Sequence, residues 1–518
     1  MNIFQKIIIS LLIFFVLGCA KQEANQLNKI ENAADTEQLK KPNILWIYVE
    51  DISPHLGSYG EPLVKTPTLD ELASQGSQFT NAITPAPVCS AMRSAMMTGQ
   101  MQTNIGVHNH HSSRTPESLI SLPDSVKTLP EIMKENGYFT FNSGKDDYNF
   151  DYDRFDLYSG DYMAHPLYGK SGVKIDWNQR KNKNQPFFGQ IQLKGGKHIF
   201  SSKFKDKVQL PIDRDKIQLP PYYPEHPIII EEWAQYLESL QITDREVKDI
   251  LARLEADGEL ENTVIFFFAD HGMRLLRHKQ FLYDGGLKVP FIAYWKNHQN
   301  IVANTVRDEQ ISLLDISATT LALADIEKPE YFEGNDLFDE QYQGKKYVIS
   351  ARDRCDFTID RIRSVRSNKY KYIKNFHPER SGMQPSYRDY WELTKVSKNL
   401  FEQGQLNAIQ AQHFSSTRPV EELYDLEKDP HEIVNLALDA RYQDILLEHR
   451  DVLSNWIEQS DDKGQYPENE EGLKLMLGIW GDTAINPEFD QLRKKYPQLS
   501  GSQFHLKNAR FKKVTDVK

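Results

Sequence analysis

The sequence predicts an α/β fold, with a mixed sheet flanked by helices and a smaller α+β unit towards the C-terminus. Three observations carry this. Asn43–Val49 is a short, nearly unbroken apolar run, as expected of a strand buried on both faces. Thr263–Ala269 is a second run of the same kind. Both end in acidic residues, Glu50-Asp51 and Asp270-His271-Gly272, and open α/β sheets bind ligands at the carboxyl ends of their strands.

In chain order, residues 1–18 carry Lys6 and then an apolar stretch from Ile7 to Leu17, too short for an ordinary transmembrane helix. Small residues follow it, as at a signal-peptide cleavage site. Residues 19–41 are polar and rich in Gln, Asn and Glu, a tether by composition. Residues 42–350 alternate strand candidates (43–49, 138–142, 186–193, 263–269, 289–295, 347–350) with helical patterns (66–75, 125–136, 231–257, 310–324), as βα units do. Cys89-Ser90-Ala91-Met92-Arg93 opens a further helix-like run. Residues 351–518 differ in texture. Segment 361–377 alternates as strands do, 420–426 reads as a short strand, and 431–458 is helical with an apolar face. From about 460 the chain is polar and less regular.

The chain has 518 residues and a net charge of −11, which argues against a nucleic-acid partner. Its three cysteines cannot build a disulfide framework. Cys89 and Arg93, four residues apart at a helix start, place a cation one turn from a thiol. A helix N-terminus also favours negative charge there, so the segment reads as an anion site or as a buried structural cysteine.

Several segments resemble known families. Val16-Leu17-Gly18-Cys19 is similar to the lipobox of bacterial lipoproteins, which implies lipidation of Cys19 and an exported, membrane-anchored protein; an ordinary signal peptide is the alternative. Lys21 resembles outer-membrane sorting. Cys89-Ser90-Ala91-Met92-Arg93, followed by Thr98-Gly99, resembles the signature of the type I sulfatases, with Ala91 at the more familiar proline position. In that family the cysteine is oxidised by a maturation enzyme to Cα-formylglycine, whose hydrate is the nucleophile. The fold implied is alkaline-phosphatase-like, with a short antiparallel sheet in the C-terminal subdomain.

The same resemblance implies a divalent metal held by Glu50, Asp51, Cys89, Asp270 and His271. Glu50 departs from the usual aspartate, and mostly oxygen donors favour Ca²⁺, with Mg²⁺ as the second choice. Gly137-Tyr138 through Gly144-Lys145, Pro186 through His198, and Arg277-His278-Lys279 through Pro290 resemble the elements that carry the sulfate-binding residues. They assign catalytic roles to Arg93, Lys145, His198 and Lys279, with His198 or Lys279 as proton donor to the leaving alcohol and Asp270 as proton acceptor from the nucleophile. One departure stands out. The histidine expected two residues after the lysine is Asp147, so either Asp147 or a histidine among His108, His110 and His111 is expected in the pocket.

Residues 351–377 and the segment from Pro419 to Leu436 resemble the family's C-terminal subdomain, so the likeness spans about 42–458. Arg352, Arg354, Lys371 and His377 are read as a basic patch for an anionic glycan, or as ordinary surface charge. Cys355 is expected as a reduced, buried thiol. The implied substrate is a sulfated polysaccharide, an algal glycan (carrageenan, ulvan or fucoidan) ahead of a glycosaminoglycan. A phosphodiesterase or phosphonate monoester hydrolase on the same fold, and a non-catalytic glycan-binding lipoprotein, are the alternatives.

Overall fold

The computed structural model describes residues 41–159, 175–296 and 299–499. The readings made on residues 1–40, including Cys19 and most of the tether, lie outside the described residues. The main sheet contains β1 (Asn43–Val49), β2 (Ser77–Ile83), β3 (Phe139–Ser143), β4 (Phe187–Leu193), β5 (Thr263–Ala269), β6 (Lys288–Tyr294), β7 (Thr305–Arg307) and β8 (Ile311–Ser312). Its order is β3-β4-β1-β5-β6-β2-β7, with β8 beside β2. Strands β3, β4, β1 and β5 are mutually parallel, while β6 runs antiparallel to both β5 and β2.

Strands β1 and β5 are buried along their whole length, the reason their sequences show no polar alternation. Trp46 packs edge-on against Phe188 and Phe268 and donates its indole N–H to Thr320. Helices cover the sheet: α1 (Pro67–Ser74), α2 (Cys89–Thr98), α3 (Pro227–Ala256) and α4 (Leu314–Leu323). Helix α2 packs with α4, whereas α3 packs with α1. Strand β2 escaped the sequence reading because Ser77, Gln78, Thr80 and Asn81 break its apolar pattern, and its pairing with β6 is irregular between Phe79 and Ala82.

Near residue 350 the chain leaves this sheet and builds an antiparallel one from β9 (Val348–Arg352), β10 (Ile362–Arg366), β11 (Tyr370–Asn375) and β12 (Glu421–Asp425), in the order β12-β11-β10-β9. Helix α5 (Glu392–Glu402) lies between β11 and β12 in the chain, and α6 (Gln443–Ser460) follows β12. The described residues from Asn43 onward form one compact unit, so the small sheet shares the body of the large one.

Two expectations change here. Helix α6 begins at residue 443 rather than 431. In the intervening stretch Asn435 Oδ1 accepts the amides of Leu423 and Ala437, and Asp429 accepts those of Ile433 and Val434, turn bonds that compete with a helix. The polar stretch after 460 contains α7 (Glu470–Trp480) and α8 (Pro487–Lys495), whose apolar residues close on Phe357.

Candidate active site

The four parallel strands deliver the site from one edge. Val49 of β1 pairs with Leu193 of β4 and with Ala269 of β5, so the residues that follow all three emerge together. Beyond β1 come Glu50 and Asp51, beyond β5 Asp270 and His271, beyond β4 Lys197, and beyond β3 Lys145. Asp51 N–H donates to Asp270 Oδ1 at 3.1 Å, which ties two of these ends directly. Asp51 has a φ of 56°, a left-handed turn in the chain as it leaves the strand.

The helix start supplies the reactive centre. Cys89 is the first residue of α2, after a Val88 N-cap that offers no side-chain bond. The unpaired amides of this first turn favour an anion at position 89. Every residue of α2 is buried, and its small polar side chains tie the surrounding loops. Ser90 Oγ accepts the His111 amide at 3.2 Å, and Ser94 Oγ accepts the Asn149 amide at 2.8 Å.

Around the Cys89 sulfur the geometry is dense in charge. Lys279 Nζ lies at 3.2 Å, His271 Nε2 at 3.3 Å and Lys197 Nζ at 3.8 Å. Burial opposes ionisation of this thiol, yet Lys145, Lys197, Lys279 and His271 together hold it well below its ordinary value. Arg93, only 1% exposed, donates to Gln192 at 2.6 Å and to Glu50 at 3.2 Å, and lies over the Tyr48 ring. Glu50 also pairs with Lys145 at 2.6 Å and with Lys197. Burial would raise its pKa, but Lys145 and Lys197 bring it down to about 2.

The donor set fits a divalent cation. Ligand atoms of Asp51, Cys89, Asp270 and His271 lie within 4.8 Å of one another, all buried. His271 Nδ1 sits 2.9 Å from the Gly272 carbonyl, a bond that places the proton there and turns the Nε2 lone pair towards the cluster. Burial raises the pKa of Asp270 despite His271 and Arg93, so this carboxylate lacks full counter-charge from the protein alone. Glu50, also expected as a ligand, does not join this group of four; its carboxylate is turned to Arg93, Lys145 and Lys197.

The chain matches the Sulfatase family model over residues 42–326. It is also 30% identical to an ulvan-active sulfatase of Formosa agariphila, across 92% of this chain and 85% of that protein. The chain belongs to the sulfatase family. Among solved structures it resembles a 2-O GAG sulfatase at 22% identity (TM-score 0.57, covering 83% of this chain and 94% of that one). It resembles the phosphonate monoester hydrolase of Agrobacterium radiobacter at 16% identity (TM-score 0.59, 83% and 99%). Both likenesses concern the fold.

As a sulfatase, the protein departs from sequence expectation at its pocket histidine. His198 is buried and turns its Nε2 to Glu246 of α3 at 3.0 Å. Its neighbour Lys197 is the residue that enters. Both lie on a 3₁₀ turn over Gly195–Phe200, where consecutive side chains diverge by a third of a turn. Two glycines let this turn approach the end of β1. A Cβ at Gly195 would meet the Glu50 carbonyl at 2.1 Å, and one at Gly196 the Asp51 carbonyl at 2.3 Å. The signal for Lys197 was present as Gly-Gly-Lys after a buried strand, but only the turn type selects between adjacent residues.

The Gly144-Lys145-Asp146-Asp147 element is resolved in a similar way. Asp147 is buried with a φ of 61° and is held by Lys145 at 2.8 Å, Arg114 at 2.8 Å and His111 at 3.2 Å. Against burial, Lys145 and His111 keep its carboxyl well below the usual range, which makes it a poor proton acceptor. His110 is the histidine brought beside Cys89, and ligand atoms of Cys89, His110 and Asp147 lie within 4.8 Å of one another. Its Nδ1 is 3.4 Å from Asp356 Oδ1, and its ring stacks on His111 at 3.7 Å. Burial lowers its pKa, but Asp356 raises it further, to a net value above the ordinary one. Asp356 comes from beyond β9, so the C-terminal part of the chain completes the pocket. His108 bonds instead with Asn109 and lies in the field of Asp353 and Arg363.

The expected basic patch does not form. Arg352 is buried against Asp360 at 2.6 Å, and Arg354 grips Glu468 at 2.5 and 2.7 Å. Lys371 is fully buried between Asp284 and Glu432. His377 faces Glu379. Buried cations need partners, and these residues hold the C-terminal part together. Cys355 is a free, buried thiol whose pKa burial raises.

Proposed function

We propose that the protein removes sulfate from a sulfated extracellular polysaccharide, with an algal glycan of the ulvan kind favoured over carrageenan, fucoidan or a glycosaminoglycan. The observation that carries the reaction is the convergence of Arg93, Lys145, Lys197 and Lys279 with a buried acidic cluster on the atom at position 89. The glycan preference rests on the likeness, across nearly the whole chain, to an ulvan-active sulfatase.

In this reading Cys89 is oxidised to Cα-formylglycine, and its sulfur here stands where a hydroxyl of the aldehyde hydrate would lie. A divalent ion, Ca²⁺ ahead of Mg²⁺, held by Asp51, Asp270, His271 and residue 89, would supply positive charge that favours the ionised hydroxyl and offsets that of sulfate. The side chains do the rest. Lys145, Lys197 and Arg93, now facing Glu50, turn their charge on the sulfate oxygens, and the charge that grows in the transition state meets pre-set cations. Lys279 Nζ donates a proton to the departing alcohol oxygen. His110, oriented through Nδ1 by Asp356, leaves Nε2 to take the proton of the second hydroxyl, so that the aldehyde re-forms as sulfate departs. Asp147 orients Lys145 rather than acting as a base.

The reading is tested by intact mass and turnover on protein co-expressed with a formylglycine-generating enzyme. Conversion at Cys89 and sulfate release from ulvan oligosaccharides are expected, with paired phosphate and phosphonate esters cleaved much more slowly. Preference for the phosphorus esters would replace it with a phosphonate or phosphodiester hydrolase, and full conversion with no release from any glycan would favour a non-catalytic binding protein. The N-terminal segment adds that Cys19 carries a lipid anchor that sorts the enzyme to the outer membrane. Palmitate labelling that persists in Cys19→Ala would sink that part.

A further inference from the structure

We propose that Phe200, Trp391 and Tyr387 form an aromatic platform at the mouth of the pocket that binds a second pyranose ring, next to the sugar whose sulfate is removed. The proposal rests on the reading of the pocket as a glycan sulfatase site and adds a subsite to it.

Continuity with the pocket is given twice. Lys197, whose Nζ is 3.8 Å from the Cys89 sulfur, and Phe200 are three residues apart on one 3₁₀ turn. Residues at that spacing eclipse one another, about 6 Å apart along the axis. Phe200 therefore stands above Lys197 on the same face, one step further out. On the other side, the backbone carbonyl of Lys279 is held by Arg388, and the neighbouring Tyr387 lies in the field of Lys279, Asp356 and Asp51.

The three rings are joined. Tyr387 meets Trp391 edge-on at 5.5 Å, and Trp391 lies 6.2 Å from Phe200. Arg274 sits over two of the rings, 5.3 Å from Phe200 and 4.9 Å from Trp391. Its charge is answered by Glu232 at 2.8 Å, and Glu232 also accepts the Leu393 amide that follows Trp391. Arg274 is thus a buried brace that fixes the aromatic arc, and its paired charge leaves little attraction for a second sulfate. Phe200 remains 58% exposed although its turn is otherwise pinned against β1 and α3.

The rings are inclined to one another by 73° and 41°, a rigid, nearly neutral arc beside an anion pocket. The exposed Phe200 ring in it matches the C–H face of a pyranose, which stacks on an aromatic ring while its hydroxyls stay in water. The enzyme so built prefers an oligosaccharide to a single sulfated ring, because the neighbouring sugar adds binding energy that a small ester cannot provide.

The test compares mature Phe200→Ala, Trp391→Ala and Trp391→Phe with wild type. The probes are 4-nitrophenyl sulfate and sulfated tetrasaccharides prepared from ulvan, carrageenan and a glycosaminoglycan. On whichever tetrasaccharide wild type desulfates, KM should rise about tenfold in each alanine variant with kcat within about twofold, and Trp391→Phe should recover most of the loss. Kinetics on the nitrophenyl ester should stay unchanged. Unchanged tetrasaccharide KM in folded Phe200→Ala and Trp391→Ala, or an equal loss on the small ester, overturns the platform. Should Trp391→Ala fail to fold, the exposed Phe200 decides. Should wild type desulfate no glycan, the substrate reading falls and the platform is judged by tryptophan fluorescence. A saturable change with a tetrasaccharide that disappears in Trp391→Ala upholds it, and no change in wild type overturns it.

Discussion

Replacing Lys197 separates the pocket seen here from the one its sequence suggests. Lys197→Ala removes a cation 3.8 Å from the atom at position 89 and paired with buried Glu50. At an effective dielectric constant near 20, one unit charge at that distance is worth about 4 kcal/mol to a negative charge on that atom. Its side chain is 20% exposed and Lys145 and Lys279 remain, so about 3 kcal/mol is a fairer figure, on the order of a hundredfold in kcat/KM. His198→Ala removes a ring that faces Glu246 on the far side of the same turn, and should stay within about threefold of wild type. The assay is initial-rate sulfate release from the mature enzyme on one ester, with melting temperatures of both variants measured alongside. A hundredfold loss in His198→Ala with Lys197→Ala near wild type would refute the argument and restore the histidine.

Two further outcomes follow from the charge balance. Asp270 is only partly neutralised by His271 and Arg93 and shares a four-donor cluster, so Ca²⁺ should raise the melting temperature of the unmodified Cys89 protein, and Asp270→Asn should abolish most of that rise, read by calorimetry with and without a chelator. Burial, only partly offset by Lys371, raises Glu432 to about 7, so the folded state binds its proton more tightly than the unfolded chain. That contribution is favourable at low pH and is lost as pH rises from about 4.5 through about 7, so Glu432→Gln should lose less stability than wild type across that window in urea titrations.

Much of the architecture was legible because the strands that position the site are buried on both faces. Unbroken apolar runs mark β1 and β5 with no help from long-range contacts, and the helix start at Cys89 declares itself by the four-residue spacing to Arg93. Strand β2 was not legible, since its polar residues are satisfied by neighbours far away in sequence, as Ser77 is by Val302 and Gln78 by Ser58. Helix α8 was missed because it buries only Phe489 and Leu492, and α7 because its apolar residues form a core only with Phe357 and α8, far away in sequence or beyond the helix itself.

What the sequence by itself determined is therefore the frame of this sulfatase: parallel strands ending in Glu50-Asp51 and Asp270-His271, and a thiol on a helix N-terminus one turn from Arg93. These are local patterns, written in periodicity and spacing. The tertiary structure alone decided which neighbour faces inward. A 3₁₀ turn chose Lys197 over His198, the left-handed backbone of Asp147 set its carboxylate against Lys145, Arg114 and His111, and Asp356 from beyond the first sheet oriented His110. It also turned Arg352, Arg354 and Lys371 inward, because a buried carboxylate needs its counter-charge wherever the fold happens to bring one.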